Sequence, residues 1–484
     1  MANIPVPPSG DDWDTSASSA GLCPDHADTS DDASLKELGR RLARLATPIA
    51  IGRMAVVGLV FSDTIMLARY GTEALGHSVL GTAVYDFFTH LLFGGLMGVA
   101  TLAARAYGAG DWAQVARVRT VALWHGFIVG CLLGLCCFCA EPLLLLTGQT
   151  PELAQAGAEV TSVLAWGVPG LGLLFVCMMV LEGLQRPLLP MLAMFFANLV
   201  NVGLNYLLIF GVEGWWPPMG AVGAALSTVG VCWSGAVLLL AVLYLHPQMR
   251  ALPKATIAIA PVGPEMRRLG APMAVSVGIE GSAFNWLTLM VGWLGIYALA
   301  AHTVLFQLLA VAFMFAFGLG SASQVMVGEA WGRQQPRTMA RVAWTATVLG
   351  LVATGLTGVL FLMFDTAIVA VFTSDVALVA TILPLMPWVA ASLMTDGGQS
   401  IVNQSLRGRG ETWMPTGIHL CSYYIVMVPL GYVLAWEAGY GLAGVFMAVC
   451  GASLVSLLGL SARLAWVSYH RPLPPVLGRH PLPP

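Results

Sequence analysis

The chain has 484 residues, of which 57% are apolar and only 10% charged, with a formal net charge of −3 and a mean hydropathy of +0.79. Soluble proteins carry about a quarter of their residues as charged side chains, so this composition excludes a soluble enzyme and a disordered scaffold. With no basic field, nucleic-acid binding is excluded as well.

Residues 1–38 are polar and acidic, with Asp11, Asp12, Asp14, Asp31 and Asp32 among them. They lack the basic start and apolar core of a secretory signal, and are expected to form a disordered cytoplasmic tail. Apolar stretches then predict spans over 46–68, 78–104, 119–140, 160–181, 190–211, 220–245, 269–294, 299–325, 343–364, 377–404, 414–436 and 441–467. Each is long enough for a helix crossing a bilayer. Long Gly-containing apolar runs suit helices, whereas barrel strands would alternate polar and apolar residues. The expected fold is therefore an all-α polytopic membrane protein with twelve transmembrane helices. Its expected parts are a first six-helix lobe over 39–245, a cytoplasmic linker over 246–266, a second lobe over 267–467, and a Pro-rich cytoplasmic tail over 468–484.

The charges test the count. With a cytoplasmic N-terminus, 20 of the 22 Lys and Arg residues fall on the cytoplasmic side; Arg69 lies outside, and Arg53 sits in the first span, where it is expected to snorkel inward. A miscounted helix would reverse every later loop, so the bias places both termini in the cytoplasm. The nine cysteines include Cys131, Cys136, Cys137 and Cys139 in one apolar run. Without a zinc spacing they are expected to be small core residues.

The sequence repeats itself. Leu45-Ala46-Thr47-Pro48 returns as Leu269-Gly270-Ala271-Pro272, and Ala106-Tyr107-Gly108 as Ala330-Trp331-Gly332, both 224 residues on. His77 and His302 align at 225, as do Leu181, Gly183 and Pro190 with Leu406, Gly408 and Pro415. A unit of six spans is even, so both copies enter the membrane in the same direction. Two parallel bundles around a cavity form an architecture for alternating access.

Ionisable groups at bilayer depth are costly and mark a pathway by default. Asp63, Asp86, Glu280 and Asp396 are the candidates. Glu280 lies about 12 Å along the helix from Pro272 and Asp396 about 18 Å from Pro384, which brings both near mid-membrane. No intramembrane Lys or Arg is expected beside them, so each carboxylate must take a proton or bind a cation. The bland alternative is a set of protonated, hydrogen-bonded core carboxyls. Asp86 and His90, one turn apart, are read as pairing with each other or as functional. Asn198, Asn201 and Asn205 share one face of the fifth span and are read first as helix–helix glue.

These residues resemble the multidrug and toxic compound extrusion (MATE) family of antiporters, bacterial NorM-like branch, over about residues 40–465. The resemblance rests on Pro48, Ser62-Asp63-Thr64, Thr101-Leu102-Ala103-Ala104 and Tyr107-Gly108-Ala109-Gly110-Asp111 in the first lobe. In the second it rests on Leu299-Ala300-Ala301-His302, on Asp396 with Gln399, on the run Ser405-Leu406-Arg407-Gly408-Arg409-Gly410-Glu411-Thr412, and on Pro415. Gly439-Tyr440-Gly441-Leu442-Ala443-Gly444 is similar to the family's lead into the last span.

What the resemblance implies is export of bulky cationic, amphipathic compounds across the cell (inner) membrane, driven by Na+ or H+. The coupling ion would be the only cofactor. Glu280 and Asp396 would form the cation site, ligating the metal if Na+ is the coupling ion, and Asp63 would be the first-lobe acid. Gln399 and Asn403, one and two turns beyond Asp396, join Asp86 in the candidate cation- and substrate-binding set. Position 392 is Ser where the branch commonly has an aromatic hydroxyl. The expected partners are small organic cations and the lipid bilayer, with no nucleic acid, and the expected state is a monomer. The rival readings are a lipid-linked precursor flippase of the same superfold, which would want basic residues in its cavity, and a twelve-span facilitator carrier. No nucleophile elbow, paired His or metal cluster speaks for an enzyme.

Overall fold

The computed structural model describes residues 34–212, 214, 216–245, 262–373 and 375–471. Twelve spans follow in order: α1 Leu35–Tyr70, α2 Thr72–Gly108, α3 Trp112–Cys137, α4 in two pieces (Pro151–Ala165 and Val168–Gly183), α5 Leu188–Phe210, α6 Gly220–Leu245, α7 Val262–Gly292, α8 Ile296–Gly332, α9 Pro336–Met363, α10 Val376–Arg409, α11 Trp413–Glu437 and α12 Gly441–His470. Spans α1–α6 and α7–α12 are counterparts in the sequence repeat and are termed the first and second lobe. Short helices Ala140–Leu146 and Asp365–Phe372 follow α3 and α9, at equivalent places in the two lobes.

Local chemistry sets the breaks. Ser34 accepts the amide of Glu37 and starts α1, four residues inside the stretch expected to be tail. α7 likewise begins at Val262, within the expected linker, and α12 runs to His470, past the expected start of the second tail. The rest of the tails and linker lies outside the described residues. Pro48 and Pro272 sit inside α1 and α7. The pieces of α4 meet at 49°, at Trp166-Gly167 followed by Pro169. Trp166's carbonyl, freed there, accepts Nε1 of Trp233 at 2.9 Å. In α11, residues Cys421–Met427 and Val433–Glu437 are π-helical around Pro429, which has no amide to give the ladder.

One apolar core fills α1–α6 and takes in Val262, Met266, Leu269 and Met273 of α7, a second lies within α7–α12, and a third joins the start of α1 to α8, α9, α10 and α12. Large side chains such as Leu132, Leu135, Leu146 and Val371 are turned outward on the perimeter. Water would penalise that perimeter, and lipid does not. Cys137, Cys177 and Cys232 are buried as expected, but Cys131, Cys136 and Cys139 lie on the exposed surface rather than in the core. The lobes meet where α1 runs against α8 and α2 against α7. Glycines allow the closest approach: a Cβ on Gly94 would stand 2.7 Å from the Ala274 backbone, and one on Gly270 2.0 Å from the Gly95 carbonyl.

Hydrogen bonds across the interface gather at the arginine-rich end, where α1 begins and α2 ends. Gln324 gives Nε2 to the Met97 carbonyl and to Thr101 Oγ1, at 3.1 and 2.9 Å. Arg105 reaches the Gly408 carbonyl at 3.4 Å and lies 4.2 Å above the Trp331 ring. Arg41 binds Glu329 at 2.9 Å, and Gln185 donates to the same carboxylate. Towards the opposite end α2 carries an exposed stripe of Gly76, Val79, Ala83, Asp86 and His90.

Candidate functional site

In the second lobe α7, α10 and α11 bring two carboxylates to one hydroxyl. Tyr423 Oη donates to Glu280 Oε1 at 3.3 Å and stands 3.4 Å from Asp396 Oδ1. The π-helical turn carries Tyr423 on α11, and the ring is fully buried against Phe284 and His419. Asp396 Oδ1 also accepts Gln399 Nε2 at 3.1 Å and Ser453 Oγ from α12 at 3.2 Å. The aromatic hydroxyl missing at position 392 is thus supplied by Tyr423 from a different helix, and Ser392 is buried with its Oγ unpartnered.

A polar chain runs from this pair to the interface. Arg407 Nη2 donates to Ser276 Oγ at 3.2 Å, and Ser276 lies 2.9 Å from His419 Nδ1. His419 Nε2 lies 3.0 Å from Gln399 Oε1, and Gln399 donates to Asp396. With the proton on Nε2, the tautomer that the 3.0 Å contact to the accepting amide oxygen favours, Nδ1 takes the serine hydroxyl, and the 3.3 Å contact of Asn403 Nδ2 with Nε2 is not a hydrogen bond. Every donor then points from Arg407 towards the carboxylates. Asn403 sits beside His419 Nε2 at 3.3 Å, off the direct line. At the other end the Arg407 carbonyl accepts Thr101 Oγ1 of the first lobe at 3.3 Å.

This corrects the expectation that no intramembrane cation serves these acids. Span α10 runs on to Arg409, so Arg407 is a buried helix residue and not a loop residue. Arg53 is corrected as well. It does not snorkel inward to the cytoplasmic face, as expected, but turns into the bundle and pairs with Glu182, a buried acid that the sequence reading passed over.

The first lobe centres on Asp63. Its Oδ1 accepts Asn205 Nδ2 at 2.6 Å and Asn201 Nδ2 at 3.0 Å, while Oδ2 accepts Thr228 Oγ1 at 3.3 Å. Two of the three amides read as glue therefore serve a carboxylate. All three still tie helices together: Asn198 binds the Ala55 carbonyl of α1 at 2.9 Å, and Asn201 also reaches Ser227 Oγ of α6 at 3.4 Å.

The MatE family model matches twice, over residues 48–207 and 272–433, so both lobes carry it. The chain belongs to the MatE family. It is 34% identical over 430 residues to a probable multidrug resistance protein NorM of Caulobacter vibrioides, covering 86% of this chain and 88% of that one. A second NorM of that description, from Pseudomonas aeruginosa, is 29% identical over 90% of each chain. Among solved structures, the eukaryotic MATE transporter AtDTX14 superposes with a TM-score of 0.81 at 19% identity, over 89% of this chain and 96% of that one. A multidrug resistance MATE family transporter in an outward-facing conformation gives 0.80, at 19% identity over 88% and 96%.

Within this MatE chain the remaining candidates separate. Asp86 and His90 stay on the exposed stripe of α2, and His90 Nδ1 meets the Asp86 carbonyl at 2.6 Å instead of its carboxylate. The structure brings neither to the other candidates. His302 is packed on Phe306 and Phe446, with Thr288 3.2 Å from Nε2, which is a core histidine's surroundings. Among the described residues no three His, Cys, Asp or Glu side chains converge as a metal cluster. For a hard monovalent ion, the oxygens of Glu280, Asp396, Tyr423 and Ser453 are the donors at hand.

Proposed function

We propose that the protein is a secondary active antiporter, exporting cationic amphipathic drugs or toxic metabolites across the cell's inner membrane in exchange for Na+ or H+. The observation that carries this reading is the meeting of Glu280 and Asp396 at the Tyr423 hydroxyl, inside the second lobe of a MatE chain. Two acids, Asp396 buried and Glu280 half-buried, 3.4 and 3.3 Å from one hydroxyl, repel each other unless a proton or a metal cation joins them. The names of the NorM relatives support the drug-export half.

On this reading the arginine-rich end faces the cytoplasm, with both termini, and the lobes are closed there and parted outside. Outward-open protein releases its cargo and takes up the coupling ion at Glu280 and Asp396. Neutralising the pair lowers the cost of closing over it. The inward-open state then loses the ion and binds the cation to be exported. Coupling requires only that ion and cargo prefer different states. Asp63 and its two amides offer the first lobe a second anionic seat, for cargo or proton. The work is transport by a single chain, and the ion is its only cofactor.

The test is efflux of a fluorescent organic cation from proteoliposomes under a Na+ gradient, a proton gradient, or neither. Movement under one gradient names the coupling ion, and none under either would sink the antiporter. The double variant E280Q/D396N should insert normally yet lose gradient-driven efflux. The flippase alternative needs free basic groups, whereas Arg53, Arg105 and Arg407 are engaged by Glu182, Glu265 and Ser276.

A further inference from the structure

Another buried carboxylate lies outside both carboxylate sites. Glu182, at the end of α4, receives Nη2 of Arg53 at 3.1 and 3.3 Å, and both side chains are at least nine-tenths buried. One nitrogen serves both oxygens, so the two parallel bonds of a fork-to-fork pair are missing. Arg53 Nε has no partner. The guanidinium lies over two phenyl rings, 5.2 Å from the centroid of Phe93 and 5.7 Å from that of Phe317. Those rings are 6.1 Å apart, and a small cavity beside them is walled by Met97, Met179 and Gln324.

The repeat shows what is unusual here. Phe93 and Phe317 are 224 residues apart, so they are equivalent positions of the two lobes meeting at the interface. The ion pair itself is not repeated: Arg53 corresponds to Val277, and Glu182, in the register that aligns Leu181 with Leu406, corresponds to Arg407. The second lobe builds the same fold without this ion pair, and a buried ion pair is weak evidence of a stabilising role. The pair is placed once, against rings contributed by both lobes.

We propose that Glu182, with Phe93 and Phe317, is a seat for the cationic group of a flat aromatic substrate, and that Arg53 fills this seat when the substrate has left. The inference rests on the export of organic cations put forward above. A carboxylate beside two ring faces recognises cations, and a planar, delocalised guanidinium shows the shape that fits. The methionine walls adapt to bulk around it. Because the rings come from different lobes, parting the arginine-rich end would separate Phe317 from Phe93 and uncover Glu182 on that side. When the end closes again, Arg53 competes for the carboxylate and displaces the cargo.

The experiment is equilibrium binding of ethidium to the full-length protein in lipid nanodiscs, with efflux measured alongside. Removing the internal competitor in Arg53→Gln should tighten ethidium binding about tenfold and slow its transport. Glu182→Gln should weaken binding about tenfold, and R53Q/E182Q should behave like it. Where a single variant fails to fold, the charge-free double variant carries the test. Phe317→Leu should weaken ethidium but spare compact tetramethylammonium. Unchanged ethidium affinity in the folded double variant, or equal losses in Arg53→Gln and Glu182→Gln, would overturn the seat and leave a structural pair. Absence of gradient-driven efflux in the wild type would instead bring down the export reading, whatever the binding series shows.

Discussion

Arg41 and Glu329 bridge the lobes at 2.9 Å, and the residues 224 positions further on or back bridge them again with the signs exchanged. Arg41 corresponds to Glu265, and Glu329 to Arg105, which pair with each other at 3.3 Å. The arginine-rich end is thus closed by two pseudo-symmetric ion pairs that differ in depth. Glu329 is 3% exposed and also binds Arg333 and Gln185, whereas Glu265 is 41% exposed.

That difference ranks two variants. Glu329→Gln strips charge from a buried acceptor of several donors and should weaken the closed end by about 1–3 kcal/mol. Glu265→Gln removes a solvated pair and should cost about 1 kcal/mol or less. Distances between spin labels on the two lobes, read by pulsed EPR, should broaden at this end for the first variant and hardly change for the second. Equal broadening would contradict the ranking.

Gly108 and Gly332 are equivalent in the repeat and face equivalent residues of the opposite lobe, Glu329 and Arg105. A Cβ on Gly108 would lie 2.1 Å from the Glu329 carbonyl oxygen, and one on Gly332 2.1 Å from that of Arg105. Backbone stands in the way on both sides, so a methyl can be accommodated only by parting the lobes. Either Gly→Ala should therefore hold the arginine-rich end ajar and lower transport about tenfold or more, with monomer folding retained. The readout is labelling of an introduced cysteine near Arg105 from that side of the membrane. Wild-type labelling would show that the lobes absorb the methyl.

Much of this fold was legible because hydropathy and charge obey one simple constraint, the bilayer. Twelve spans, their order and the repeat followed from apolar length, loop arginines and an offset visible in Pro48 and Pro272. Glu280, Asp396 and Asp63 stood out because acids are rare at that depth. What stayed hidden were partners brought by tertiary structure. Tyr423 resembles any aromatic in an apolar helix until a π-helical turn aims it at two carboxylates. Arg407 looked like a loop cation because the helix was ended too early, and Glu182 because it falls at the edge of a span. Composition counts charges along the chain, but pairing is decided across it.

Tyr423→Phe deletes one hydroxyl and little else. It removes the shared contact of Glu280 and Asp396 while the ring keeps its packing on Phe284 and His419. Losing a hydrogen bond to charged groups is worth about 1.5–3 kcal/mol. The ion concentration for half-maximal efflux should rise about tenfold or more, with substrate affinity unchanged. If substrate affinity falls instead and ion dependence holds, the hydroxyl serves the cargo.

The chain from Arg407 to Asp396 supports a sharper expectation about coupling. Its donors all point one way, from a buried cation to a buried acid, so each bond polarises the next. Neutralising Asp396 with a proton or Na+ weakens the acceptor at one end, and the loss is felt at the other, where the Arg407 carbonyl holds Thr101 across the interface. His419 is the central link, with a partner on each ring nitrogen at 2.9 and 3.0 Å. In His419→Leu the chain is cut but the carboxylates and Tyr423 remain. Ion binding, measured by calorimetry or proton release, should persist within about threefold, while the ion's effect on lobe opening and the efflux it drives should be lost. His419→Asn, which can bond one neighbour, should recover part of it. A leucine variant that still opens and closes in response to the ion would mean that the signal crosses by packing alone.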